Sequence, residues 1–591
     1  MRYIHQALFG EQFLMVKSMG STRPMDRHSV VVIDSNCRSS RRQWQFRGNV
    51  NRTLSELGLT DSMEDTLQPS AQREPLSRTR QTILVSILLL GLLFSSLDAS
   101  IVGTSLVTIS VELQDYRNSP WVALSYLLAY MGFAVLFAKL SDIYGRRTLL
   151  AVAWILFTAF SLGCGLAANM PSLIIFRAIQ GVGGSGLYSL AQVCLFEVGP
   201  SNKPSLLGAL VGMTLAVSFV LGPVLGGTIT RFATWSWIFY INIPFGILAL
   251  LGLAFAWPPN KSSDPLGLWE VSRKFNICGN TLLISASGLL VYALQEAGSF
   301  NYAWSSPAII ATLSVAAVSW LLFIGRELFL VRRRNRYIDP VFPTRLIIQR
   351  PFLSALSCSF LAGFTYLALI IILPERFQIV NGDDSLMAGV HLLPQLGACA
   401  FGSFLAGAVS SKRNNTAITL IVAHCLQLIG IGFLSTLSDV HTAIEAQYGY
   451  QAIFGLGVGL SFASVTILTS VRAHPEEMAV AQGAIAQARV FGGALGITVC
   501  MIIVNKQIQT GLGDELGSSD MSALQRDPVT ISYFLPDIQA LVRKTYAGAF
   551  TDDIKVMIGV TAVGLLVSLF SFEVDPPLMP GHQAPKEDVL V

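Results

Sequence analysis

The stretch ILVSILLLGLLFSSLDASIVGTS, from Ile83 to Ser105, decides how this chain is read. It carries one charge, Asp98, in 23 residues, and about 20 apolar residues suffice to cross a bilayer as a helix. Thirteen further segments of similar character follow. The approximate set is 83–105, 121–140, 148–168, 172–194, 206–228, 237–256, 276–295, 307–327, 354–374, 387–409, 416–436, 448–470, 482–504 and 554–573. The apolar runs are continuous and do not alternate with period two, so they predict helices rather than a closed barrel. The expected fold class is an all-α integral membrane protein with fourteen spans.

Composition agrees. Of 591 residues, 52% are hydrophobic and 13% charged, where a soluble domain has about 25% charged. The first 80 residues hold 20 of the 76 charges. This excludes a soluble enzyme, a disordered scaffold, a secreted disulfide protein and a nucleic-acid binder of basic-patch type. Residues 1–80, with basic clusters such as Arg38, Arg41 and Arg42, read as a disordered cytoplasmic tail. Ala7 to Val16 is interrupted by Glu11 and Gln12, which makes it a poor signal peptide. The eight cysteines are far apart, and seven sit in apolar stretches, so they read as small packing residues. No metal site is expected.

Charge orients the spans. With the N-terminus in the cytoplasm, the inner loops hold 17 Lys and Arg and the short outer loops only Arg117, Arg231 and Arg376. That is a strong positive-inside bias. The sequons at Asn51, Asn260 and Asn414 then all face inside, where no glycan is added. The last outer loop, 505–553, is long; its apolar spacing over Ile538–Phe550 suggests a helix on the membrane surface.

The chain also repeats itself. RAIQGVG (Arg177 to Gly183) returns as QAIFGLG (Gln451 to Gly457). Val220, Gly222, Leu225 and Gly226 return with the same spacings as Val490, Gly492, Leu495 and Gly496. Spans one to six therefore match nine to fourteen, and seven and eight are unpaired. The domain plan is 81–257, a six-helix bundle; 258–350, two additional helices with cytoplasmic linkers; 351–575, a second six-helix bundle; and 576–591, a cytoplasmic tail. Two parallel repeats form a transporter architecture, with the substrate path between the halves.

Three charges lie deep in these spans: Asp98, Arg177 and Arg489. Each costs at least about 2.5–3.5 kcal/mol at a helix centre, so each needs a partner or a cavity. At 1.5 Å per residue, Asp98 lies about 22 Å from the inner end of its helix and Arg177 about 8 Å from the outer end of its own, at similar depth. They are expected to couple electrostatically. Asp98, the only carboxylate deep within the spans, is the candidate proton carrier: a changing distance to Arg177 would load and release a proton. The same two residues would also serve as a static helix tie. Arg489 either faces the cavity or snorkels to the interface. His391 and His424 read as hydrogen-bonded packing residues. GVGGSG (Gly181 to Gly186) fits a dinucleotide-binding pattern but lies within a span with no preceding strand, so it reads as a close helix contact. Pro223 beside Gly222, Gly226 and Gly227 frees a backbone carbonyl and bends the helix, which would serve either as a hinge that controls closure between the halves or as a static kink.

These residues resemble a known family. LDASIV (Leu97 to Val102) is similar to the first-helix motif of the fourteen-span drug:proton antiporters of the major facilitator superfamily. AKLSDIYGRR (Ala138 to Arg147) resembles the superfamily's loop between helices two and three, with Ala138 in place of the usual glycine. Arg177, Gln180, Gly181 and Gly183 match the fourth-helix motif, and Gly222, Pro223, Gly226 and Gly227 the antiporter motif of helix five, with Ser218 where glycine is frequent and Val107 in place of a common proline. WSWIFYINIPFG (Trp235 to Gly246) and the stretch holding Leu373, Pro374, Phe377 and Gln378 are also similar to family sequences. The pattern is closest to fungal pumps that export toxins.

The resemblance implies export of a small, mostly hydrophobic compound, such as a toxin, secondary metabolite or drug, in exchange for protons. It also implies a cytoplasmic gate of Asp142, Gly145, Arg146 and Arg147. The expected protein needs no cofactor beyond the proton gradient, works as a monomer, binds no nucleic acid, and sits in the plasma membrane, with the vacuolar membrane the alternative. An importer for a siderophore or basic amino acid, and a sensor that binds without transporting, are the rival readings.

Overall fold

The computed structural model describes residues 13–14, 31–32, 77–199, 204–257, 276–299, 301–333, 341, 344–411, 413–437, 444–473, 477–513, 515, 521, 524 and 534–577. Two compact units divide the chain at Leu76 and Ser77. In the first, Phe13–Leu14 pairs antiparallel with Val31–Val32. That pairing, and α1's start at Arg78, are what the structure describes of the expected tail 1–80; its other residues, the linker 258–275 and the C-terminal tail beyond 577 lie outside the described residues.

The second unit is helical. Its long helices are α1 (Arg78–Glu112), α2 (Pro120–Tyr144), α3 (Arg146–Gly165), α4 (Met170–Val198), α5 (Pro204–Phe232), α6 (Trp237–Ala256), α7 (Ile277–Gly298), α8 (Pro307–Arg333), α9 (Arg350–Arg376), α10 (Ser385–Val409), α11 (Thr416–Leu434), α12 (Ile444–Arg472), α13 (Met478–Leu512) and α14 (Pro536–Leu569). Side-chain caps fix several starts. Asn169 accepts from the Ser172 amide at 2.9 Å, with proline in the first turn, and Asp384 from the Met387 amide at 2.7 Å. A π-helical turn, Phe377–Asn381, extends α9 past Pro374 and ends at Gly382 with φ 77°.

Among the described residues, 12 helices are long and apolar enough to cross a membrane. Fourteen were expected. The two long helices outside that set are α4 and α14. Arg177, Gln180 and a run of Gly and Ser dilute α4, and α14 carries Asp552, Asp553 and Lys555.

Two expectations are corrected. Ile538–Phe550 is no separate surface helix: it is the first part of α14, with Val542, Tyr546 and Phe550 buried. Val542, Tyr546 and Ala549 pack with Tyr116, Val504, Ile508 and Leu512 in one apolar cluster. The stripe that suggested a membrane surface is buried against protein. Nor is Asp98 the only interior carboxylate. Asp553 is 0% exposed and Glu375 7%; the sequence-based spans ended one residue short of each.

Helix pairing repeats. Helix α1 packs on α5, α2 on α4, α3 on α4 and on α6. In the same way α9 packs on α13, α10 on α12, and α11 on α12 and on α14. The glycines expected to match have matching roles. A Cβ on Gly181 would lie 2.5 Å from the Tyr126 carbonyl oxygen of α2, and one on Gly183 2.5 Å from the Phe157 nitrogen of α3. Their counterparts Gly455 and Gly457 meet the backbones of Gln395 in α10 and Ala423 in α11. Gly222 and Gly226 press on Ser100 and Ile101 of α1, as Gly492 and Gly496 press on Phe360 and Phe364 of α9. Small residues let helix backbones approach where apolar lipid supplies no drive for helices to associate.

The chain reverses between α2 and α3 at a single residue, Gly145, with φ 88° and ψ 143°. That region is essentially closed to side chains and costs about 1–3 kcal/mol for any other residue. Gly145→Ala is expected to lower thermal stability by that amount, read as a fall in the unfolding midpoint of the detergent-purified protein.

Candidate functional site

Five helices of the first half meet at Asp98. Asp98 and Arg177 form an ion pair with both side chains 0% exposed. Gln180 donates to Asp98 Oδ1 at 3.0 Å and to Ser161 Oγ at 2.7 Å. Asn242 of α6 also donates to Asp98 Oδ1, at 3.3 Å, and to Ser161 Oγ at 3.1 Å. Arg177 Nη1 donates to Gln180 Oε1 at 2.9 Å and Nε to the Val122 carbonyl at 3.0 Å. Its guanidinium lies 4.2 Å from the centre of the Tyr126 ring and 5.6 Å from that of Phe239, in cation–π range.

The expected contact of Asp98 with Arg177 is therefore present, with Gln180 as a third member. Ser161 and Tyr126 had not been singled out, and Asn242 and Phe239 had been quoted only as part of the stretch Trp235 to Gly246, with no role given to either. The network is nearly complete: Arg177 Nη2 and Asn242 Oδ1 are buried with no hydrogen-bond partner. Protonating Asp98 would cancel the charge that holds Arg177 and leave a buried guanidinium short of acceptors, which costs several kcal/mol. Neutralising Asp98 in this arrangement would thus weaken the contacts among α1, α3, α4 and α6.

Arg489 lies in the interior of the bundle. Its guanidinium sits 3.9 Å from the centre of the Phe462 ring of α12, and Tyr130 of α2, Tyr366 of α9 and Cys399 of α10 are within its electrostatic reach. Both halves contribute to this group. Its Nε is buried without a partner. Rings continue outward from it: Tyr366 meets Phe462 at 5.4 Å and Phe219 of α5 at 5.7 Å, both edge-on.

The remaining motif residues lie at the two ends. At the α2–α3 turn, Arg146 pairs with Glu197 of α4 at 3.0 Å and donates to the Ala138 carbonyl at 3.2 Å and to Ser141 Oγ. Arg147 donates to the Ala254 carbonyl of α6 at 3.2 Å. The side chain of Asp142 lies outside the described residues. At the opposite end the halves touch. Arg231 of α5 pairs with Asp384 ahead of α10 at 2.5 Å, Thr230 donates to Ser385 Oγ at 2.9 Å, and Gln378 donates to the Thr104 carbonyl at 3.3 Å. Gly227 and Pro223 belong to this joint: Gly227 faces the backbone of Ser385 and Leu386, and Gly389 faces the Pro223 carbonyl.

His391, beside the joint, stacks on Tyr448, whose hydroxyl is 2.5 Å from its Nδ1, and pairs with Asp383 at 3.4 Å. Burial pushes the Asp383 carboxyl above its ordinary value, and His391 pulls it partly back. His424 lies 2.9 Å from the Leu420 carbonyl through Nδ1.

A helical bundle with paired halves, a buried ion pair and an interior arginine among aromatic rings defines a membrane transporter rather than an enzyme. The chain belongs to the Major Facilitator Superfamily, whose family model matches residues 88–497. It is 34% identical over 505 residues to the MFS-type transporter FPY5 of Fusarium mangiferae, covering 84% of each chain. It is 28% identical over 417 residues to the rubrofusarin-specific efflux pump aurT of Gibberella zeae, covering 71% of this chain and 75% of the pump. The inward-facing, occupied crystal structure of a bacterial homolog of the human lysosomal transporter Spinster shares the fold, with a TM-score of 0.56 at 14% identity over 84% of this chain and 97% of that one. The protein is a multi-pass membrane transporter.

Proposed function

We propose that the protein exports a small hydrophobic compound, a toxin, secondary metabolite or drug, in exchange for protons. The observation that carries this reading is the Asp98–Arg177 pair, fully buried among five helices and anchored by Gln180 and Asn242. The direction rests on the antiporter motif Gly222, Pro223, Gly226 and Gly227, which lies against α1 and the joint between the halves, and on the efflux pump among the relatives. The aromatic group around Arg489 suits a substrate that is mostly apolar.

In this reading α4 and α14 join the 12 apolar helices as membrane spans, because each pairs with its neighbours as its counterpart does in the other half. The architecture is then six helices, two additional helices, and six more, acting as a monomer. Both termini face the cytoplasm in the plasma membrane, with the vacuolar membrane the alternative. The proton gradient is the only energy source, and no cofactor takes part.

The test is uptake of a fluorescent hydrophobic dye by vesicles holding the purified protein in the orientation that turns export into uptake. Accumulation that requires a pH gradient, acid on the side the dye enters, supports the reading. Dye movement indifferent to the gradient overturns proton coupling, and the absence of dye movement together with ligand binding favours a sensor.

A further inference from the structure

We propose that Asp553 and Glu375 form a second proton-binding site, in the second half of the bundle and independent of Asp98. The proposal rests on the proton-coupled reading for its role in transport, but the protonation itself is tested separately below.

Asp553 lies midway along α14 and is 0% exposed, and neither carboxylate oxygen has a hydrogen-bond partner. Glu375, near the end of α9, is 7% exposed, and its Oε1 is likewise unpartnered. The two carboxyls are within electrostatic reach of each other, with the Cys500 thiol of α13 beside Asp553 and the Tyr546 hydroxyl near Glu375. Three helices thus bring acidic or weakly acidic groups into one buried region.

The charged groups of the surrounding elements are partly engaged: Arg376 and Arg543 each keep a buried Nε with no hydrogen-bond partner among the described residues. Arg376 donates to the Leu437 carbonyl at 3.1 Å and lies 4.9 Å from the centre of the Phe550 ring. Lys555 pairs with Asp552 at 2.8 Å, and Gln507 of α13 donates to Asp552 at 2.6 Å. Arg543 sits 3.9 Å from where a side chain on Gly382 would begin. His424 of α11 faces Gly564, about 16 Å further along α14 at 1.5 Å per residue.

The contrast with Asp98 decides the matter. Asp98 has a guanidinium and two amide donors around it. Among the described residues, Asp553 has beside it only the weak thiol donor of Cys500. An ionised carboxylate stripped of water without a partner costs several kcal/mol, and a second carboxyl beside it adds repulsion. A neutral carboxyl avoids both costs, so the site holds at least one proton in this conformation. Its surroundings also offer a route to release. Pro374 precedes Glu375, and the π-helical turn Phe377–Asn381 follows it. Such turns are where a helix most readily rearranges, and a shift there would bring water or Arg376 to the pair and discharge the proton.

The experiment is infrared spectroscopy of the full-length protein in lipid vesicles, titrated across neutral pH, reading the carbonyl band of neutral carboxylic acids. The wild type is expected to keep such a band at neutral pH. Asp553→Asn should lose it, Glu375→Gln should shift or weaken it, and Asp98→Asn should leave it in place. A band unchanged in both Asp553→Asn and Glu375→Gln overturns the proposal. A fall in protons moved per dye molecule in Asp553→Asn, counted with a pH indicator inside the vesicles, places the site in the transport cycle, and an unchanged ratio removes it from that cycle. If dye transport proves indifferent to pH in the wild type, the proton-coupled reading fails while the infrared result still decides the protonation of Asp553.

Discussion

Asp98→Asn is expected to abolish dye accumulation driven by a pH gradient and to lower stability by about 3–5 kcal/mol, the usual cost of breaking a buried ion pair from one side. The geometry explains why a substitution of equal shape is so damaging. Asp98 Oδ1 accepts from both Gln180 and Asn242, and Oδ2 accepts from Arg177. Asparagine has one oxygen. If it faces Gln180 and Asn242, its amide group meets the Arg177 guanidinium, donor against donor. If it faces Arg177, two amide donors lose their acceptor. In either case Arg177 keeps its charge with no counter-charge, and its Nη2 has no partner to begin with.

The double variant Asp98→Asn with Arg177→Gln separates the two effects. It removes both charges, so most of the lost stability should return, while gradient-driven transport should not. Unfolding midpoints in detergent report the first quantity and vesicle uptake the second. Retention of full gradient dependence in Asp98→Asn would sink the role given to Asp98; a double variant no more stable than the single would show that the loss is not electrostatic.

The two charges of this network were legible because charge is scarce in apolar helices: Asp98 and Arg177 stand out against residues that need no explanation. Asn242 and Ser161 do not. Small polar side chains are common in such helices, and one-dimensional spacing gives no sign of which ones converge on a carboxylate from α3 and α6. Depth along a helix could be estimated from rise per residue, which is why Asp98 and Arg177 could be matched. Rotation about the helix axis could not, and it is rotation that brings Asn242 to Asp98 Oδ1 at 3.3 Å.

The misses at Glu375 and Asp553 have another cause. A span is delimited by hydropathy, so a charge tends to end it, and both residues were placed just outside the membrane by the very property that makes them informative. The same bias turned the first part of α14 into a surface helix. The glycine repeat was easier. Close backbone contact leaves few residues other than glycine, so the spacing of Gly222 and Gly226, and of Gly492 and Gly496, survives where other side chains have diverged. Nothing comparable marks Gly227, whose partner, the backbone of Ser385 and Leu386, belongs to the other half.

Gly181→Ala is the second large effect expected. A methyl group there would lie 2.5 Å from the Tyr126 carbonyl oxygen and 3.0 Å from the Tyr126 Cα. These are backbone atoms, which cannot move aside as a side chain can, so α4 must shift away from α2. Overpacking of this kind costs about 1–3 kcal/mol. The repeat predicts a similar loss for Gly455→Ala, which meets the Gln395 backbone in α10. Gly212→Ala and Gly432→Ala supply the contrast. Nothing lies within 4 Å of either added methyl, so the gain in helix propensity, about 0.5–1 kcal/mol, is unopposed. The two contact glycines should differ in function even where they agree in stability. Gly181 directly follows Gln180 and is one turn from Arg177, so displacing α4 lengthens the bonds that hold Asp98, and transport should fall further than folding alone explains. Among the described residues no ion pair lies beside Gly455, and its transport loss should track the amount of folded protein. Thermal midpoints and uptake per folded molecule, measured for all four variants, separate these outcomes. Equal uptake per folded molecule in Gly181→Ala and Gly455→Ala would show that the close approach of α4 to α2 supports the fold without tuning the charge network.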